Sequence, residues 1–252
     1  MSKLAFHQYP CLSDNYGVLV HDVAAGETFA VDVPDADATL AALAATGWKL
    51  THILVTHHHD DHIQGIPAVK AATACVVIGP AGIAAVDRAV AGGDVVDLAG
   101  EGIRVIATPG HTLDMLNYFL PGARVLFAGD TLFAMGCGRV FEGTPAQMWA
   151  SLEKLMALPA DTMIYCGHEY TLANGRFALT VDGGNAALVA RMKEVEALRG
   201  QGRPTLPTVL DLELATNPFL RAADPAIRAG LGMDRASDAE VFAELRERKN
   251  RG

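Results

Sequence analysis

The segment Thr56-His57-His58-His59-Asp60-Asp61-His62 packs four imidazoles and two carboxylates into seven residues, directly after the apolar run Ile53-Leu54-Val55. Such side chains build a core badly, because each ring or carboxylate withdrawn from water needs a polar partner. A metal cation partners several at once, and mixed imidazole and carboxylate donors suit zinc, iron or manganese. The apolar run reads as a buried strand that holds the cluster rigidly. Three further places put a potential ligand after a strand pattern and beside a glycine: Pro109-Gly110-His111, Gly129-Asp130 and Gly167-His168. Loops at strand ends converge to form sites, and glycine lets the backbone approach a metal or substrate without a Cβ clash. Singly, His111, Asp130 and His168 read as ordinary turn or loop residues. Together with the cluster they read as one ligand set.

The hydrophobic pattern predicts the elements that must carry these residues. Strands are expected over Lys3 to Gln8, Tyr16 to His21 and Thr28 to Val33, a helix over Asp37 to Thr46, and a strand over Thr51 to Val55. A helix through Ile66 to Ala72, a strand at Cys75 to Ile78, and paired runs at Arg104 to Ala107 and Met115 to Leu120 follow, and Arg124 to Ala128 leads into Gly129-Asp130. From Pro145 to Leu158 the apolar residues Met148, Trp149, Leu152, Leu155 and Met156 recur at helical spacing, and Thr162 to Cys166 resumes the strand pattern before Gly167-His168. Beyond Tyr170 helical periodicity dominates, most clearly at Ala186 to Leu198 and Asp238 to Arg248, with a Pro-punctuated stretch from Arg203 to Pro218 between them. A β-rich catalytic part followed by a helical appendage is the expected organisation.

Composition narrows the function classes. The 252 residues are 50% hydrophobic, enough for a sizeable core. No apolar run reaches the roughly 18 residues of a membrane span, and Met1 to Asn15 lacks a secretory leader pattern, so a cytoplasmic protein without membrane partners is expected. The formal charge of -9 argues against nucleic-acid binding. Cys11, Cys75, Cys137 and Cys166 lack CxxC spacing and are expected as free thiols. A local basic patch, Arg246, Arg248, Lys249 and Arg251, is suited to an anionic small molecule.

Thr56 to His62 resembles the THxHxDH signature of the metallo-β-lactamase superfamily, with His111, Asp130 and His168 in the expected downstream order. Within it the chain resembles the glyoxalase II (hydroxyacylglutathione hydrolase) family at Ser13-Asp14-Asn15-Tyr16, Gly136-Cys137-Gly138-Arg139, Phe141-Glu142-Gly143-Thr144, Cys166-Gly167-His168-Glu169-Tyr170-Thr171 and Asn217-Pro218-Phe219. The resemblance implies an α/β fold, a four-layered αββα sandwich over residues 1–169 with a C-terminal helical, glutathione-binding domain over 170–252. It implies two divalent metal ions, zinc first and iron or manganese as alternatives. His57, His59 and His111 would hold one, Asp61, His62 and His168 the other, and Asp130 both. Alternation along an extended stretch is compatible with that division: His57 and His59 point the same way, and His58 points elsewhere as a packed or supporting ring. Two close cations make hydrolysis possible, since a water held between them loses a proton near neutral pH. The implied substrate is S-D-lactoylglutathione, cleaved to glutathione and D-lactate by a monomer, with Asp61 and Asp130 catalytic. By the same resemblance Arg139, the Phe141 position, Tyr170, Arg246 and Lys249 bind the thiol carrier.

Three departures from the family pattern stand out. Phe141 replaces a frequent tyrosine and removes one hydrogen bond to the carrier; Thr112-Leu113-Asp114-Met115 replaces a small residue and a histidine; Asp60 stands where an aromatic is common. Rival readings are separable. A persulfide dioxygenase uses one iron and fewer ligands, whereas Asp61, His62 and His168 are all retained here. The zinc β-lactamases commonly place a cysteine where this chain offers Asp61. A lactonase or another thioesterase would share the metals but need not share the basic terminal helix, and a nuclease fits the acidic balance poorly. A purely structural metal module would favour four Cys or His ligands over this carboxylate-bearing set.

Overall fold

The computed structural model describes residues 4–251; Met1, Ser2, Lys3 and Gly252, and with them the first residue of the strand expected from Lys3, lie outside the described residues. The chain divides into two compact units, Met1–Ala107 with Asp114–Gly129, and Thr108–Leu113 with Asp130–Gly252.

In the first unit, β1 (Leu4–Cys11) and β2 (Asn15–Asp22) form a hairpin whose register, Cys11 opposite Asn15, sets Asn15 at the mouth of the turn. β3 (Glu27–Val31) pairs antiparallel with β2, after which the order becomes parallel through β4 (Leu50–Leu54), β5 (Val76–Gly79) and β6 (Arg88–Ala89). Parallel pairing needs a crossover. α1 (Ala36–Thr46) supplies one, and the short α2 (Asp60–Ile63) with α3 (Ile66–Thr73) supplies the next. Asp35 starts α1 by accepting from Ala38 N at 2.9 Å, and Gly47 ends it in the left-handed conformation, φ 70°. Ala42 and Leu43 of α1 and Ile66 and Val69 of α3 join Leu19, Ala30, Ile53 and Val77 of the strands in one apolar cluster.

The strands β7 (Val95–Leu98), β8 (Glu101–Ala107), β9 (Leu116–Leu120) and β10 (Val125–Gly129) follow one another antiparallel. β9 and β10 are buried along their whole length. Phe29 of β3 meets Phe127 of β10 edge to face at 6.2 Å, and the Tyr118 hydroxyl donates to Val55 O at 2.6 Å, so the two sheets of this unit share a core. Helix, sheet, sheet is the layering within this unit.

The second unit begins with a short hairpin, β11 (Leu132–Phe133) and β12 (Gly136–Cys137), followed by α4 (Pro145–Met156), β13 (Met163–Cys166), α5 (Thr171–Asp182), α6 (Ala186–Gly200), β14 (Thr208–Val209), α7 (Leu210–Thr216), a 3-10 turn (Pro218–Leu220), α8 (Pro225–Leu231) and α9 (Asp238–Arg251). Thr144 and Gln147 form a capping box at the start of α4. Met135, Ala178, Leu188, Met192 and Val195 make one core cluster. A chain of rings, Trp149 on Phe242, Phe242 on Phe219 and Phe219 on Phe177, at 5.9, 6.0 and 5.7 Å, ties α4, α9, the 3-10 turn and α5 together. Among the described residues no helix is long and apolar enough to cross a membrane.

The long periodic elements fall within a few residues of their expected bounds. Those without a period of their own do not stand out: β8 begins at Glu101, three residues before the apolar run, and β11 and β12 have two residues each. All four cysteines are free and buried. Burial pushes the Cys11 thiol up to about 11 and raises those of Cys75, Cys137 and Cys166. Since the thiolate is the nucleophile, the folded protein at pH 8 is expected to resist an aromatic disulfide reagent while the unfolded chain titrates all four thiols. A cysteine modified in the folded state as fast as a free thiol would contradict this.

Candidate metal centre

β3 and β4 run parallel with Val31 opposite Leu54, so the residues just past their ends lie side by side. Asp32 there adopts φ 55°, in the left-handed region that aspartate tolerates better than most residues, and is 4% exposed. Its carboxylate accepts from Thr56 N (2.8 Å) and Thr56 Oγ1 (2.8 Å) and pairs with His62 Nδ1 at 2.7 Å. The Thr56 hydroxyl, having given its proton to Asp32, meets His57 Nδ1 at 2.9 Å as an acceptor. Both rings therefore carry their proton on Nδ1 and their lone pair on Nε2.

Around this hub the His57 ring lies 4.7 Å from that of His59 and 4.2 Å from that of His62, and Asp61 Oδ2 is 3.9 Å from His62 Nε2. Asn15 holds Asp61 through both its backbone and its side-chain oxygen, each at 3.1 Å. Asp61 keeps a 43% exposed side chain, whereas His57 and His62 are buried. His58 turns to Asp114, Nδ1 to Oδ1 at 3.0 Å.

In the second unit Asp130 Oδ2 stands 3.4 Å from His111 Nε2 and 3.3 Å from His168 Nε2. His111 Nδ1 lies 2.8 Å from the Arg139 carbonyl. A carbonyl only accepts, so His111 likewise offers Nε2. Gly138 permits the close approach, because a Cβ there would stand 1.9 Å from Asp130 O. Before Asp130, Gly129 has φ 46° and lies against Thr56, where a Cβ would come within 2.9 Å of Oγ1.

The residues expected to bind the carrier separate into a rim and an anchor pair. Tyr170 stacks on His168 at 4.6 Å and 3°, and Phe141, 59% exposed, packs its ring 5.3 Å from that of His111. The Arg139 guanidinium sits 5.7 Å from the Phe141 ring centroid. Arg246 is buried, donating to Cys137 O (2.9 Å) and Asn250 Oδ1 (3.1 Å) over the Phe219 ring. Lys249 donates to Ala173 O at 3.2 Å and faces Phe177; burial lowers its pKa, and the neighbouring Arg246 charge adds to the lowering.

These His and Asp groups are suited to binding metal ions. The imidazoles of His57, His62 and His111 have Nδ1 tied to an acceptor, as His58 does on Asp114, the arrangement that orients histidine toward a cation through Nε2. Two residues without a role in the sequence reading emerge, Asp32 and Asn15. Asp32 falls inside the Thr28 to Val33 run, and a single aspartate there gives no signal of its own.

Residues 17–168 match the metallo-beta-lactamase superfamily, and residues 169–252 match the hydroxyacylglutathione hydrolase C-terminus. The chain is 55% identical over 247 residues to a hydroxyacylglutathione hydrolase of Mesorhizobium japonicum, covering 96% of this chain and 97% of the relative. It is 53% identical over 254 residues to that of Rhizobium meliloti, covering 99% of both. Among solved structures it is similar to ETHE1 from Myxococcus xanthus, with TM-score 0.71 and 28% identity over 98% of this chain and 91% of that one.

Replacing Asp32 with Asn or Ala is expected to weaken zinc binding by about 10- to 100-fold, since losing such an orienting partner typically costs that much. Competition with a chromophoric chelator measures it. An unchanged dissociation constant would remove Asp32 from the hub.

Proposed function

Because the chain belongs to the metallo-β-lactamase superfamily, has its α/β fold with a helical C-terminus, and belongs within it to the hydroxyacylglutathione hydrolases, we infer that it hydrolyses a glutathione thioester, S-D-lactoylglutathione, to glutathione and D-lactate. The match over the whole length, helical part included, carries this reading. The finer assignment is that residues 1–169 provide the chemistry and residues 170–252 the carrier-binding helices, in a cytoplasmic monomer. His57, His59 and His111 would hold one divalent cation and Asp61, His62 and His168 a second, with Asp130 a ligand shared by the pair; zinc fits this mixed donor set, as do iron and manganese. When bound, such a pair supplies an acidified water for attack and positive charge for the developing oxyanion.

The protein's own groups do the rest. Asp32 and Thr56 keep His57 and His62 in the Nδ1–H tautomer, and the Arg139 carbonyl does so for His111. Asn15 fixes the Asp61 carboxylate, whose exposure leaves an oxygen able to orient a water. Tyr170 and Phe141 present flat faces for the carrier, and Arg139 and Lys249 supply cations for its carboxylates. With Phe141 in place of a phenol, that wall binds by apolar contact alone. A thiolate leaves readily, so no strong general acid at sulfur is required.

Purified protein is expected to contain about two transition-metal ions per chain and to hydrolyse S-D-lactoylglutathione, and Asp130→Ala to abolish both the second ion and turnover. A single ion in the active parent, by metal analysis, would overturn the dinuclear assignment. Lys249→Ala should raise KM for the glutathione thioester about tenfold with little change in kcat, the size of one lost charge-assisted hydrogen bond. An equal effect on a small thioester without the tripeptide would count against carrier binding by Lys249.

A further inference from the structure

Asn217, Glu213 and Arg191 are all buried in the second unit, yet none belongs to the ligand set or to the carrier-binding residues. A buried ion pair is a poor source of stability, because desolvation offsets much of its attraction. What this one does is hold backbone. Asn217 Nδ2 donates to Phe133 O (3.2 Å) and Gly136 O (2.9 Å), Asn174 Nδ2 donates to Ala134 O (3.1 Å), and Glu213 Oε2 accepts from Met135 N (2.8 Å). Side chains of α5, α7 and the residue after α7 thus grip each residue of the turn between β11 and β12. Met135 in that turn has φ 54°, a left-handed conformation unfavourable for its side chain and kept by its surroundings. Glu213 is itself fixed by Arg191 and by Thr208 Oγ1, and it meets Asn217 Nδ2 at 3.2 Å.

The gripped hairpin leaves Asp130 on one side and reaches Arg139 on the other. Gly138 N donates to Thr131 O at 3.3 Å across its base, and Arg246 donates to Cys137 O. The next carbonyl but one, that of Arg139, is the acceptor at His111 Nδ1. We propose that Asn217, with Asn174 and the Arg191–Glu213 pair behind it, is a positioning residue for the metal centre: it fixes the hairpin, hence the Arg139 carbonyl, hence the tautomer and aim of His111. This rests on the reading of His111 and Asp130 as metal ligands. It also gives Asn217-Pro218-Phe219 a task that packing alone does not require.

Asn217→Ser separates the roles, because serine still caps the 3-10 turn as Asn217 does through Phe219 N but cannot span both hairpin carbonyls. In the full-length protein the variant is expected to speed hydrogen–deuterium exchange of residues 132–139, to raise the zinc dissociation constant about tenfold, and to raise KM for the glutathione thioester. Ile103→Ala, a truncation of a buried residue of β8 in the first unit, should lower Tm at least as much and leave those three readouts within about twofold of the parent, as expected for a site outside the clamp and its core cluster. The proposal is overturned if Asn217→Ser leaves hairpin exchange and zinc affinity at parental values, or if Ile103→Ala moves them equally. A parent that binds no zinc would instead sink the metal reading, while the exchange result would still decide whether the clamp exists. Should Asn217→Ser fail to fold, Asn174→Ser releases Ala134 O alone, and unchanged exchange there would equally overturn the clamp.

Discussion

One buried carboxylate decides which nitrogen two histidines of the first unit can offer. An imidazole binds a cation only through a nitrogen without a proton, and in neutral histidine the choice between Nδ1 and Nε2 belongs to whatever accepts the proton of the other. Asp32 makes that choice twice, directly for His62 and through the Thr56 hydroxyl for His57. It reaches both because parallel pairing of β3 with β4 sets their ends abreast. An antiparallel partner would have delivered a strand start, with its loop at the opposite edge. The crossover helices are thus as necessary to this arrangement as the side chains that make it.

His111, in the second unit, meets the same problem with a weaker acceptor. His111 is oriented by a main-chain carbonyl, a dipole where His62 has a charge. A side-chain carboxylate swings into place on one rotamer, but a carbonyl can be aimed only by fixing the backbone on both sides of it. The dense grip on the β11–β12 turn and the close seating of Gly138 on Asp130 meet that requirement. The same constraint explains why a polar helix such as α9 buries Arg246: its guanidinium satisfies Cys137 O in the loop that ends at Arg139.

How much of this is legible in the sequence depends on whether the signal is local. His57, His59, Asp61 and His62 stand out because four imidazoles in seven residues have no other economical use, and His111, Asp130 and His168 because each follows a strand pattern and a glycine. The helices α4, α6 and α9 are legible because apolar residues recur along them at helical spacing. Asp32 is not, since a lone aspartate past a strand looks like a turn residue and its partners lie 24 and 30 residues away. Two-residue strands carry no period, so the hairpin that aims the Arg139 carbonyl is invisible until folded. Arg246 and Lys249 look alike on one helix face, yet only Arg246 is buried, a difference set by the elements that α9 meets.

Three consecutive histidines with a fourth at His62 create a further difficulty: a cation would have more imidazoles in reach than it could use. His58 is the surplus ring, and its neighbour His59 lies only 5.1 Å away between centroids. Extended backbone turns His58 from the face that His57 and His59 share, and Asp114 then holds it at 3.0 Å. Asp114 belongs to the stretch that departs from the family pattern by giving up a histidine. One imidazole near the cluster is given up there, and a carboxylate is gained that engages another. The pair is partly exposed and adds little to stability. Its effect is to fix the His58 ring through Nδ1, as Asp32 fixes that of His62.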